Sequence, residues 1–97
     1  MSEPEPSNRL KNFFDSEERK PTLAENSTAL SFNNRGQARL SKSELDGAIS
    51  DFNKAIELNP NLAEAYNNRG LLKQKLGQID EAMMDLDKAI ELKSKQI

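Results

Sequence analysis

Displaced by 34 residues, this chain falls on itself. Asn33-Asn34-Arg35-Gly36 lands on Asn67-Asn68-Arg69-Gly70, and Lys54-Ala55-Ile56-Glu57-Leu58 lands on Lys88-Ala89-Ile90-Glu91-Leu92. From Ala29 to Asn59, 13 of 31 positions are identical to their counterparts, and Phe32/Tyr66, Leu45/Ile79 and Phe52/Leu86 are similar pairs. A period in the low thirties with two helix-length stretches per period confines the fold to stacked helix pairs. Each unit buries one face on the next, and arrays of this kind generally bind other proteins rather than run chemistry.

Composition narrows the function classes further. Ninety-seven residues make one small domain, and with 35% apolar and 31% charged residues its core is thin. Acidic and basic residues nearly balance, at a net charge of −2. No basic stripe is available to neutralise phosphates, so no nucleic-acid partner is expected. With no Cys and no His, thiol nucleophiles, structural zinc sites and the usual proton shuttle are all missing. There is no Gly-rich phosphate loop either, so neither an enzyme nor a cofactor is expected. The start, Met1 to Pro6, has no apolar run to serve as signal peptide or membrane anchor. The expectation is a soluble cytoplasmic protein, with membrane association at most peripheral.

The spacing predicts an all-α chain. Residues 1–6 are expected to be a disordered tip. Residues 7–28 hold a short helix starting at Ser7, stopped by Pro21, and a linker. Thr22-Leu23-Ala24-Glu25 fits a capping box, so a helix is expected from about Leu23 through Leu40. After a turn at Ser41-Lys42-Ser43, a second helix runs from about Leu45 to Leu58 and ends at Asn59-Pro60-Asn61. The second period repeats the plan: a helix from about Leu62 to Leu76, a turn at Gly77-Gln78, and a helix from Asp80 to about Lys93. Ser94 stands in the place of Pro60, which leaves the last helix free to run on toward Ile97.

At this point the residues resemble the tetratricopeptide repeat (TPR) family. The family's sequence of aromatic, Gly, turn Gly, Ala, aromatic, Ala and Pro is matched by Phe32, Gly36, Ala48, Phe52, Ala55 and Pro60. In the second unit it is matched by Tyr66, Gly70, Gly77, Ala82, Leu86 and Ala89. Two matches in register assign residues 29–62 to a first repeat and 63–97 to a second with a short tail. Together they make a two-unit α-solenoid of helix-turn-helix pairs preceded by a short N-terminal helix. The small residues are expected where paired helices cross closely. Ser43 replaces the turn Gly of the first repeat.

Arg35, Arg39, Arg69 and Lys73 fill slots that are usually large and apolar. Asp51 and Asp85 stand 16 residues after Arg35 and Arg69, so one reading pairs each Arg with its Asp across the hairpin. The other is an anion-binding row. Asp46, Asp51, Asp80, Asp85 and Asp87 are expected to lie on solvated, ion-paired helix faces rather than in an acid/base or metal site.

The resemblance implies a groove lined by the first helix of each pair, taking an extended peptide or a partner helix. By register its positions are Leu30, Asn33, Gln37, Leu40 and Ser41, then Glu64, Asn67, Leu71, Gln74 and Lys75. Asn33 and Asn67 could donate to and accept from a peptide backbone without reading its sequence. The Lys/Asn/Asn/Lys/Arg set of chaperone-binding TPR proteins is not present.

Two repeats are fewer than the three or so that such arrays generally need. Ile49, Phe52 and Ile56 are expected to pack on the next helix, whereas Met83, Leu86 and Ile90 have only a short tail after them. Leu10, Phe13 and Phe14 could cap one end of the stack, or serve as a motif for a partner's groove. The Met83/Leu86/Ile90 face could pair two chains or dock a partner protein. The expected function is therefore a non-catalytic adaptor, scaffold or assembly factor, the alternative being a structural unit that only self-associates.

Overall fold

The computed structural model describes residues 20–95, which form four helices. These are α1 (Leu23–Ser41), α2 (Leu45–Leu58), α3 (Ala63–Lys75) and α4 (Ile79–Ser94). The tip, the helix expected from Ser7, and Leu10, Phe13 and Phe14 lie outside the described residues, as do Gln96 and Ile97.

Local chemistry sets the helix ends. Thr22 is extended (φ −67°, ψ 165°), its Oγ1 accepts from the Glu25 amide at 3.0 Å, and its own amide donates to Glu25 Oε1 at 2.9 Å. Two donors otherwise orphaned at the start of α1 are thereby satisfied. Both hairpins close in the same way: the Glu44 amide donates to Arg39 O at 2.8 Å and the Gln78 amide to Lys73 O at 2.9 Å. Each closure needs a left-handed residue one position earlier. Gly77 supplies it at φ 81°, and Ser43 adopts φ 63° in the same place. A side chain makes that conformation costly at Ser43.

Packing follows the small residues. An added Cβ on Gly36 would stand 2.6 Å from Cε1 of Phe52, so α1 and α2 approach as closely as they do only because Gly36 has none. Phe52 is fully buried with Ala48 and Leu72, and Leu40, Leu45 and Ile49 pack against them. Burying a side chain of that size stabilises by about 1.5–3 kcal/mol. Leu72 comes from the second pair, so one core crosses the boundary between repeats. Helix α3 packs on both α1 and α2, whereas α4 meets only α3 among the described helices.

The face of α4 departs from expectation at its centre. Leu86 is half-buried because it packs over Gly70, where an added Cβ would stand 2.9 Å from its Cγ. Of that expected face, α4 leaves open Met83, at 57% exposure, and Ile90, at 63%; Ile79 and Met84 of the same helix are exposed too.

Candidate functional site

Helices α1 and α3 lie side by side, joined where Nδ2 of Asn68 donates to Oδ1 of Asn33 at 3.0 Å. Residues 30, 33, 37 and 40–41 share one face of α1, and residues 64, 67, 71 and 74–75 share the matching face of α3. Leu30, Gln37, Ser41, Glu64, Leu71, Gln74 and Lys75 are exposed, and Leu40 and Asn67 are half-buried. Exposed leucines on an otherwise polar surface offer apolar contact between hydrogen-bonding groups.

Asn33 requires a correction. It is fully buried, so it does not present its amide to an arriving peptide backbone. Its Oδ1 is committed to Asn68, and its Nδ2 is buried with no hydrogen-bond partner among the described residues. The spacing puts Asn33 on the right face of α1, but α3 packs close enough to cover it. At this level of the groove the accessible amide is that of Asn67.

Between the helices of each pair sits an ion cluster. Arg35 donates Nε and Nη2 to the two carboxylate oxygens of Asp51 at 3.0 and 2.8 Å; Arg69 does the same to Asp85 at 2.8 and 2.7 Å. A second cation adds to each: Arg39 Nη1 is 3.4 Å from Asp51, and Lys73 Nζ is 3.5 Å from Asp85 and 3.2 Å from Glu81. The guanidinium of Arg35 also lies 5.2 Å from the centre of the Phe32 ring, and that of Arg69 lies 5.6 Å from Tyr66. Hydrogen bonds from Arg35 hold the Asp51 carboxyl below its ordinary pKa, against the opposing effect of burial, and the charges of Arg35 and Arg39 add to the lowering. Asp85 in turn holds Arg69 above its ordinary value.

This geometry is the intrachain Arg–Asp pairing, and it draws all four cations toward carboxylates rather than into an anion-binding row. It also corrects the reading of Asp51 and Asp85 as solvated: both are buried, which a doubly hydrogen-bonded carboxylate with a nearby cation tolerates.

Several contacts had no warning in the spacing. Asn59 Nδ2 donates to Asn26 Oδ1 at 2.7 Å, and the Asn61 amide to Asn59 Oδ1 at 3.0 Å, tying the loop between the repeats to the start of α1. Arg69 Nη1 donates to Asn53 Oδ1 at 2.9 Å, linking α3 to α2. The one available signal was the density of asparagines near helix ends and repeat boundaries.

Beside Arg35 and Asp51, a recess of about 380 Å³ is lined also by Phe32, Ser50 and Lys54, outside the groove. Among the described residues, no group of three or more His, Cys, Asp or Glu is placed to hold a metal ion. No described helix is long and apolar enough to cross a membrane.

Residues 36–77 match a family model described as TPR repeat, and residues 63–96 match one described as Tetratricopeptide repeat. A search of curated proteins found no match. Among solved structures, the chain is similar to one titled "Crystal structure of MamA", with 32% sequence identity and a TM-score of 0.67. The likeness covers 70% of this chain and spans 40% of the length of that one. With two family models in register across four helices and a solved relative of the same architecture, the chain belongs to the tetratricopeptide repeat family.

Proposed function

We propose that this chain is a non-catalytic binding module, an adaptor, scaffold or assembly factor that takes a peptide or helix of another protein along α1 and α3. Repeats of this family generally mediate protein–protein interaction. The observation that carries the reading is the exposure of Leu30 and Leu71 on the neighbouring helices α1 and α3, whose same faces also expose Gln37, Glu64 and Gln74. Apolar side chains set among hydrogen-bonding groups along two adjacent helices suit an extended backbone with intermittent apolar side chains. The open part of α4, Met83 and Ile90, is a second surface for a partner, with Leu86 beneath it.

The test is display selection of peptides on the whole 97-residue chain, followed by titration of the selected peptide into Leu71→Glu and Met83→Glu variants. The groove reading expects Leu71→Glu to weaken binding at least about tenfold, a loss of about 1.4 kcal/mol, with helicity unchanged. Failure to select any peptide, or binding indifferent to Leu71→Glu, would contradict it.

A further inference from the structure

Each repeat carries two consecutive asparagines on its first helix, and the molecule uses one from each. Asn33 of α1 and Asn68 of α3 bond to one another between the repeats and are buried. The other two, Asn34 and Asn67, are their counterparts displaced by 34 residues: Asn34 has the position on α1 that Asn68 has on α3, and Asn67 the position of Asn33. Asn34 is exposed and Asn67 half-buried. One end of the stack therefore holds the donor half of the contact and the other end holds the acceptor half.

A second contact obeys the same displacement. Arg69 binds Asp85 through Nε and Nη2 and spends its Nη1 on Asn53 of α2. Arg35 binds Asp51 through the same two nitrogens, and its Nη1 has no hydrogen-bond partner among the described residues. The Arg35 side chain is 54% exposed where that of Arg69, covered by α2, is 19% exposed. In the place of Asn53, the second repeat has Asp87, exposed on α4. The neutral acceptor of the contact between repeats is thus replaced at the open end by one whose charge is opposite to that of Arg35.

We infer that the α4 face takes a second copy of this chain, added head to tail. In this arrangement α1 of the incoming copy packs across α3 and α4 as α3 packs across α1 and α2 within one chain. Asn34 of the incoming copy bonds Asn67, and its Arg35 pairs with Asp87. Met83 and Ile90 are covered as Ile49 and Ile56 are in the first repeat. The position of Leu72 is taken by the smaller Ala38, and the flexible Met83 is suited to fill the space left beside it. Because the two surfaces differ, the contact is heterologous and each addition presents a fresh α4 face. The inference rests on the reading of the chain as a protein-binding module and names a partner for the α4 face together with Asn67 at the groove's edge, which the added copy covers as α3 covers Asn33. Titrating the selected groove peptide into the same variants separates loss of self-association from loss of groove binding.

The experiment is sedimentation equilibrium on the full chain and on two variants that each block one end. Asn34→Arg blocks the head and Asp87→Arg the tail, with Ile90→Lys as a second tail variant should Asp87→Arg lose helicity by circular dichroism. The wild type is expected to form a concentration-dependent series of dimer and larger species. Each variant alone should associate roughly a hundredfold more weakly, and a mixture of one head-blocked and one tail-blocked chain should stop at a 1:1 dimer. A wild type that stays monomeric to millimolar concentration overturns the inference. An Asn34→Arg chain that still dimerises alone also overturns it, because two α4 faces would then be pairing with each other.

Discussion

Asn68 donates to Asn33 at 3.0 Å from one repeat to the next, leaving the Asn33 Nδ2 buried without a partner among the described residues. The contact fixes how α1 and α3 sit side by side, and hence the shape of the groove they line. Replacing either residue alone orphans the other, at a cost of about 1–3 kcal/mol. Replacing both by leucine removes every unpaired group at once. Urea denaturation of Asn33→Leu, Asn68→Leu and the double variant should therefore give a double-variant loss well below the sum of the single losses. Additive losses would mean that the bond couples nothing.

Asp51 makes stability dependent on acid. Its carboxyl titrates below its ordinary value in the folded chain, so between the folded and unfolded values the unfolded chain binds more protons. The contribution is fully present above the unfolded value of about 3.9 and is lost as pH falls through the lower folded value. Asp51→Asn should destabilise the protein by about 1–3 kcal/mol at pH 7, because it leaves Arg35 and Arg39 together without their carboxylate. It should also flatten the fall in melting temperature below about pH 4. An equally steep acid limb in Asp51→Asn would assign that limb to other groups.

Ser43 is a misfit that one substitution relieves. It holds φ 63° in the turn where the second repeat has Gly77 at φ 81°. The left-handed conformation costs a side-chain-bearing residue about 1–2 kcal/mol, and the flexibility glycine adds to the unfolded chain returns roughly 0.5–1 kcal/mol of that. Ser43→Gly should raise stability by about 0.5–1 kcal/mol, a gain of a few degrees in melting temperature. No change, or a loss, would mean that the Ser43 side chain makes a contribution the turn geometry does not reveal.

Two glycines test how sharply the helix crossing is defined. At Gly36 a Cβ would meet the ring of the fully buried Phe52 at 2.6 Å, while at Gly47 it would meet Arg39 Nη1, the end of a flexible side chain, at 2.9 Å. Alanine favours a helix over glycine by about 1 kcal/mol at both sites. Gly36→Ala should nevertheless destabilise by about 1–3 kcal/mol through overpacking, while Gly47→Ala should be neutral or stabilising. Thermal unfolding of the pair decides, and the reverse order would contradict this account of the crossing.

The parts legible in the sequence are those governed by local chemistry or by the period. The capping box at Thr22–Glu25 and the breaks at Asn59-Pro60 and Gly77 set the helix ends to within a residue or two. The offset of 16 from Arg35 to Asp51 and from Arg69 to Asp85 gave both ion pairs, because one hairpin is repeated. Distances between repeats were not legible. Which of two consecutive asparagines turns toward the neighbouring repeat depends on how the pairs stack, so Asn33 read as groove surface is in fact enclosed. Leu86 read as part of an open face because nothing in its own helix shows that Gly70 leaves it a seat. The burial of Asp51 and Asp85 was hidden for a related reason: a charged residue reads as solvated until its partners fix its place.

The central claim, that protein is bound along α1 and α3, is tested most directly by mapping backbone amide chemical shifts of the 97-residue chain during titration with the display-selected peptide. The account predicts that the largest changes fall at Leu30, Gln37, Asn67, Leu71 and Gln74, with little change at Ser50, Glu57 and Lys88. Changes confined to α2 and α4, or none at saturating peptide, would contradict it.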